Sequence, residues 1–222
     1  MLGDAAYDPI RGELRWLAGE LGEARNIDVL VERFAGEPIA ERLQAGRADA
    51  YARVTEVLAS QRVRGLMLDL AEWLALGEWL VRPNDSDLVD EPIADRASDI
   101  LDRQRRRVKR RGRALVELDD EARHEVRIEA KKLRYAAEFF APLYTRRKAA
   151  QRARTFLSAL EALQEELGDL NDLATMPGVL ARLGLGDTPQ AQPTVHAGRH
   201  AKALARAGDA YESLVDAKPF WR

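Results

Sequence analysis

The sequence predicts an all-α protein, a duplicated bundle of amphipathic helices. Apolar residues recur at spacings of three and four along the chain, and alternation at two is nearly absent. One helical pattern occurs twice: Leu14, Leu17, Glu20, Leu21 and Gly22 match Leu160, Leu163, Glu166, Leu167 and Gly168. In both copies an Asn or an Asn/Asp pair follows the shared Leu-Gly, which favours duplication over two helices that merely share a pattern. Hydrophobic residues at 46% and charged residues at 32% suit a globular chain of such helices.

Taken in order, the pattern predicts helices over Ile10–Phe34, Pro38–Ser60, Arg62–Leu80, Ile93–Leu118, Glu121–Tyr144, Arg146–Leu183 and Pro193–Ala217. The first ends at Gly36-Glu37-Pro38. The third gives way to Arg82–Pro92, which carries two prolines and four acids and reads as the boundary between two halves. Pro142 ends the fifth helix, Pro177-Gly178 reads as a further breaker, and Gly184 to Pro193 precedes the last helix. The expected organisation is a first bundle over 1–82, a linker over 83–92 and a second bundle over 93–222. In the second half the repeated hairpin follows a long basic helix, whereas in the first only Met1–Arg11 precede it. The first half is therefore expected to be an incomplete repeat, through truncation or divergence, and a second copy of the chain could supply what it lacks.

The charge is segregated. The net charge is -2, yet Leu101 to Arg154 holds 18 Lys or Arg against 8 Asp or Glu. At about 100° per residue, His124, Arg127, Lys131 and Arg134 form one stripe. Val126, Ala130, Leu133, Ala136, Ala137 and Phe140 lie opposite, and Ile128, Tyr135 and Phe139 make a second apolar strip. Two apolar strips predict a helix covered on both sides, with its cations facing a groove. The preceding helix aligns Arg103, Arg107, Arg110 and Arg111, with Arg106 and Arg113 beside them. Asp102 is the only acid from Leu101 to Val116, so these arginines cannot all be neutralised locally. Most charge runs are solvated faces, but concentration in two successive helices points to a polyanion. Arginine offers phosphate a planar fork that stays charged, and lysine a point charge. Histidine gains charge when phosphates crowd it.

These segments resemble the CHAD domain. The likeness rests on Arg106–Leu115 (RRVKRRGRAL), His124–Phe140 (HEVRIEAKKLRYAAEFF), Leu163–Asp172 (LQEELGDLND), Leu17–Leu30 (LAGELGEARNIDVL) and the ending Ala217–Trp221 (AKPFW). It implies two antiparallel four-helix-bundle halves related by a pseudo-twofold, with a basic groove between them, and binding of inorganic polyphosphate. By position, His124, Arg127, Lys131, Lys132 and Arg134 are the implied ligands. Arg103, Arg107, Arg110 and Arg111 follow, with His200, Lys202 and Arg206 as a further set near the groove. The family has a histidine-bearing basic helix in each half, and this sequence holds only the second. A targeting or scaffolding module is implied, in the cytoplasm and at polyphosphate granules.

Other chemistries find less support. The absence of cysteine excludes disulfides and thiolate metal sites. No stretch approaches the roughly 20 apolar residues that span a bilayer, and no signal peptide opens the chain. His196 and His200 have zinc-compatible spacing, but no third ligand is near, so neither metal nor cofactor is expected. Asp28, Asn171 and Asp172 are expected to cap helices or aim arginines, and the tryptophans to anchor the core. No nucleotide loop or catalytic triad appears, so no enzyme activity is expected. A polyphosphate or triphosphate hydrolase is the alternative from the enzyme class. Nucleic-acid binding is the third reading, disfavoured because aromatics do not interleave with the basic stripe.

Overall fold

The computed structural model describes residues 6–78 and 92–222, and among them seven α-helices and no strand. They are α1 (Tyr7–Arg33), α2 (Ala40–Ala59), α3 (Gln61–Leu76), α4 (Ile93–Arg111), α5 (Asp120–Phe140), α6 (Arg147–Arg182) and α7 (Ala197–Asp216). The described residues fall into two compact units. One lies within Met1–Val89 together with Val179–Gly186, the other within Asp90–Gly178 and Asp187–Arg222. No helix among them is long and apolar enough to cross a membrane.

In the first unit α1 pairs with α2 and α3, and α2 also meets α3. Ile27, Leu30, Leu43 and Leu66 are fully buried. The α2–α3 joint is a single residue: Ser60 is extended, and its Oγ accepts the Val63 N–H at 3.2 Å, which starts α3 immediately. The last turn of α6 belongs to this unit for visible reasons. Leu183 lies so close to Gly46 of α2 that a Cβ there would come within 2.7 Å of Leu183 Cδ2. Arg42 Nη2 donates to the Gly184 carbonyl at 2.9 Å. Gly184 is left-handed (φ 67°), and the Leu185 N–H returns to the Leu180 carbonyl at 2.8 Å, which closes the helix end. The organisation expected from the sequence puts this segment in the second bundle, over 93–222.

The second unit is built on one core from four helices. Leu101 and Val108 of α4 meet Val126, Ala130, Leu133 and Ala137 of α5. Phe156, Leu160, Leu163 and Leu167 of α6, and Ala203, Ala207 and Leu214 of α7, complete it. Asp119 caps α5, its Oδ1 accepting the Ala122 N–H at 2.8 Å, and Asp120 and Glu121 favour the positive end of the helix dipole. The chain's ending is part of the core. Phe220 and Trp221 stack edge-on with Phe156, and Trp221 Nε1 donates to Asp102 at 2.8 Å.

Several predicted boundaries move. The helix expected over Ile93–Leu118 stops at Arg111, because Gly112 lies against Tyr211 and Ala114 turns left-handed (φ 55°) before a short 3-10 turn at Leu115–Glu117. A Cβ on Gly112 would sit 2.3 Å from the Tyr211 ring, so only glycine allows this approach. Pro142 ends α5 at Phe140 and leaves a 3-10 turn over Ala141–Leu143. Pro177-Gly178 does not break α6. Met176, Val179 and Leu180 are buried around it, and that burial outweighs the hydrogen bond the proline removes. The last helix starts at Ala197 rather than Pro193, after a 3-10 turn. Trp79 and the linker expected at 83–92, except Pro92, lie outside the described residues.

The two copies of the repeat are not equally covered. Leu160 is fully buried, whereas its counterpart Leu14 is 41% exposed; Leu21, the counterpart of buried Leu167, is 37% exposed. Truncating the two copies should therefore cost different amounts. Leu160→Ala is expected to destabilise by about 2–5 kcal/mol, and Leu14→Ala by about 1 kcal/mol or less, read from urea unfolding midpoints.

Candidate functional site

Burial of Val126, Ala130, Leu133 and Ala137 fixes the rotation of α5 and turns the opposite side outward. On that side Arg127, Lys131 and Arg134 line one pocket of about 240 Å³, with Tyr135 and with Gln164 from α6. Gln164 Nε2 donates to the Ala130 carbonyl at 3.1 Å, which ties the pocket wall to the helix carrying the cations. Arg127 and Lys131 have no acidic partner among the described residues. Lys131 Nζ stands 5.8 Å from the Tyr135 ring centroid, within cation–π range. Arg134 is paired: its Nε donates to Glu138 Oε1 at 2.7 Å, and this hydrogen bond raises the guanidinium's pKa further.

The predicted stripe is thus divided. His124 lines a separate, much smaller crevice with Arg123 and Asn171. Its Nδ1 donates to Asn171 Oδ1 at 2.7 Å, since an amide oxygen only accepts. Lys132, a ligand implied by the resemblance alone, donates to buried Glu129 at 2.9 Å. The second apolar strip is not covered: Phe139 is 75% and Tyr135 57% exposed. The expectation of a helix packed on both sides fails there, and Tyr135 serves the pocket rather than the core.

The other predicted residues scatter. On α4, Arg103 and Arg107 are exposed, Arg111 pairs with Glu125 at 3.0 Å, and Arg110 faces a different concavity. Asp102, the one nearby acid, serves the C-terminus instead. Burial pushes its carboxyl up, but hydrogen bonds from Arg222 and Trp221 outweigh this and hold it below the usual carboxylate range. On α7, His200 is half-buried and Lys202 exposed. Arg206 is clamped on Glu166 at 2.8 Å with Asp169 at 3.6 Å, which raises its pKa. No group of three or more metal-ligating side chains occurs among the described residues. His196 Nε2 lies 2.9 Å from the Gln190 carbonyl.

Tyr135 and Gln164 are the pocket residues that sequence reasoning missed. Tyr135 was hidden by its apolar neighbours. Gln164 carried one signal, an uncharged polar residue between core positions Leu163 and Leu167. In the first unit, Asp28 does aim an arginine: it accepts from Arg47 at 2.6 Å and from Tyr51 at 2.8 Å.

A family model described as the CHAD domain matches residues 1–181. No curated protein matches the chain, and no solved structure does.

The Arg47 hydrogen bond, chiefly, holds the Asp28 carboxyl below its ordinary range. The stability this contributes is complete above the unfolded carboxylate's pKa and is lost as pH falls through the lower folded value. Asp28→Asn should therefore destabilise the protein at neutral pH and lose less on acidification than the wild type. Urea midpoints across an acid series test this; parallel pH curves for the two proteins would refute it.

Proposed function

The chain belongs to the CHAD domain family, and from that premise we propose that it binds inorganic polyphosphate through the cationic face of α5, as a targeting or scaffolding module that leaves the polymer intact. The observation that carries the proposal is the convergence of Arg127, Lys131 and Arg134 on one pocket, two of them without an acidic partner among the described residues. Seven residues of helix at about 1.5 Å each set these cations along roughly 10 Å. A flexible chain of phosphates can follow such a row, exchanging its counterions for protein cations. It offers no base to read or stack, and the pocket's single aromatic ring already faces a lysine.

Reversing Arg127, Lys131 and Arg134 together to Glu should abolish polyphosphate binding and leave the helical circular-dichroism signal intact. Retained affinity in that variant would remove α5 from the site. For the wild type, the logarithm of the binding constant should fall with the logarithm of salt at a slope of roughly −2, if three phosphates are neutralised as on a single-stranded nucleic acid. A flat response contradicts an electrostatic mechanism. Orthophosphate released during incubation with Mg²⁺ would replace this reading with a hydrolase. RNA competing equally at matched phosphate would make the site a general polyanion binder.

Glu138 competes with the ligand for Arg134. Glu138→Gln should therefore tighten polyphosphate binding by a few-fold, the scale of one exposed ion pair.

A further inference from the structure

A second concavity of the second unit belongs to another face. It has a volume of about 800 Å³ and lies where the end of α4 meets α7, and it shares no lining residue with the α5 pocket. Arg106, Lys109, Arg110 and Arg113 line it together with the inner guanidinium of Arg105, and Glu212 is its only acid. All four outer cations are exposed, and none has an ion pair among the described residues.

The floor of this cleft is held in place. Arg105 Nη2 donates to the Val215 and Ala217 carbonyls at 2.9 and 3.1 Å, which fastens α4 to the end of α7. Tyr211 donates its hydroxyl to the Lys109 carbonyl at 2.8 Å, while its ring occupies the space a side chain at Gly112 would need. These contacts set the spacing of the cations before any ligand arrives, so little ordering cost remains to oppose binding.

A helix C-terminus attracts cations by its dipole, and this accounts for Lys109 and Arg110 in the last turn of α4. It does not account for Arg106, a turn earlier, or for Arg113, which lies beyond the helix end. Like charges at Arg106, Lys109 and Arg110 repel one another along the helix. Ala114, at the rim, is the one non-glycine residue with positive φ among the described residues. Such backbone persists where the surroundings impose it, and it collects at ligand sites.

We propose that this α4–α7 cleft is a second anion site that takes a short phosphate oligomer at a place separate from the α5 pocket; the choice of a phosphate ligand rests on the function proposed above. Four unpaired cations within one cleft exceed what a single carboxylate would neutralise. Forked guanidiniums beside an ammonium match the several oxygens of linked phosphates.

The test is calorimetric titration of the whole chain with tripolyphosphate at low salt. The wild type should show two binding events. Arg106→Glu with Arg110→Glu should remove one and leave the other, whereas Arg127→Glu with Lys131→Glu should do the reverse. Should the glutamate pair unfold the protein, Arg106→Gln with Arg110→Gln is expected to weaken its event by about tenfold. Hydrogen exchange on the wild type, at saturating tripolyphosphate, should slow across residues 105–116. One binding event in the wild type that the α4 reversals leave untouched would overturn the second site. So would unchanged exchange across 105–116, or poly-glutamate that competes as well as tripolyphosphate. If the α4 reversals remove an event and the α5 reversals remove none, this site stands and the α5 pocket falls.

Discussion

The burial of the small-residue and leucine face of α5 against α6 is the constraint on which the rest of the second unit depends. Val126, Ala130, Leu133 and Ala137 have no exposed surface, and neither do Leu160 and Leu163 on the facing helix. Two of the four α5 residues are alanines, so α5 comes close to its neighbours, and the core tolerates little rotation. Once that face is fixed, helical geometry decides where every cation of α5 emerges. Arg127, Lys131 and Arg134 meet at one pocket because apolar burial elsewhere leaves them no other direction. The stabilisation comes from the core, and the function proposed for the opposite face draws on that rigidity.

The acids of the second unit have a selective distribution. Glu138, Glu129, Glu125 and the Glu166/Asp169 pair each take one of the predicted ligands: Arg134, Lys132, Arg111 and Arg206. Where both partners reach solvent, as at Arg111–Glu125, such a pair contributes little to stability, about 1 kcal/mol or less. The consequence of these pairs is local: each sets a carboxylate against a cation that an anion would otherwise meet alone, and at Arg134 the ligand has to compete with Glu138. Arg127 and Lys131 on one face, and Arg106, Lys109, Arg110 and Arg113 on another, have no ion pair with a described acid, and Glu212 is the one acid lining the second face. Net charge hides this pattern, and so does a count of basic residues. What matters is which carboxylate each cation can reach.

Helix identity and the core of α5 were legible in the sequence because a period of 3.6 leaves a strong mark on 20-residue segments. The stripe itself was readable, but its division was not. His124 sits at nearly the same angle as Lys131, yet Asn171 on a helix 47 residues away holds its ring in a different crevice. Lys132 went astray because Glu129 lies one turn back and buried. The breakers themselves were legible at Pro142 and Gly184, where chemistry alone decides, although the helix before Pro142 ends at Phe140 and not at Tyr144. Helix ends were misread at Gly112, where the ring of Tyr211 imposes the stop, and at Pro177, where flanking burial overrides the breaker. Contacts between residues distant in sequence account for the failures at His124 and Gly112, whereas those at Lys132 and Pro177 turn on the burial of near neighbours.

The duplicated pattern shows how far a repeat can diverge in use while its spacing persists. In the second unit the leucines at 160, 163 and 167 lie beneath other helices, and the polar edge of the same helix holds Arg206 through Glu166. In the first unit Leu14 and Leu21 reach solvent, and Glu20, the counterpart of Glu166, accepts a hydrogen bond from Trp16 at 2.9 Å. Arg62 covers the Trp16 ring at 3.6 Å from its centroid and pairs with Glu13. Cation–π and ion-pair contacts thus stand where the second copy uses apolar burial. Burial contributes roughly 25 cal/mol per Å² without regard to salt, whereas such surface contacts weaken as salt rises. The α6 copy of the repeat therefore has the more secure apolar support, and it is α6 that carries Gln164 and backs the proposed polyphosphate pocket.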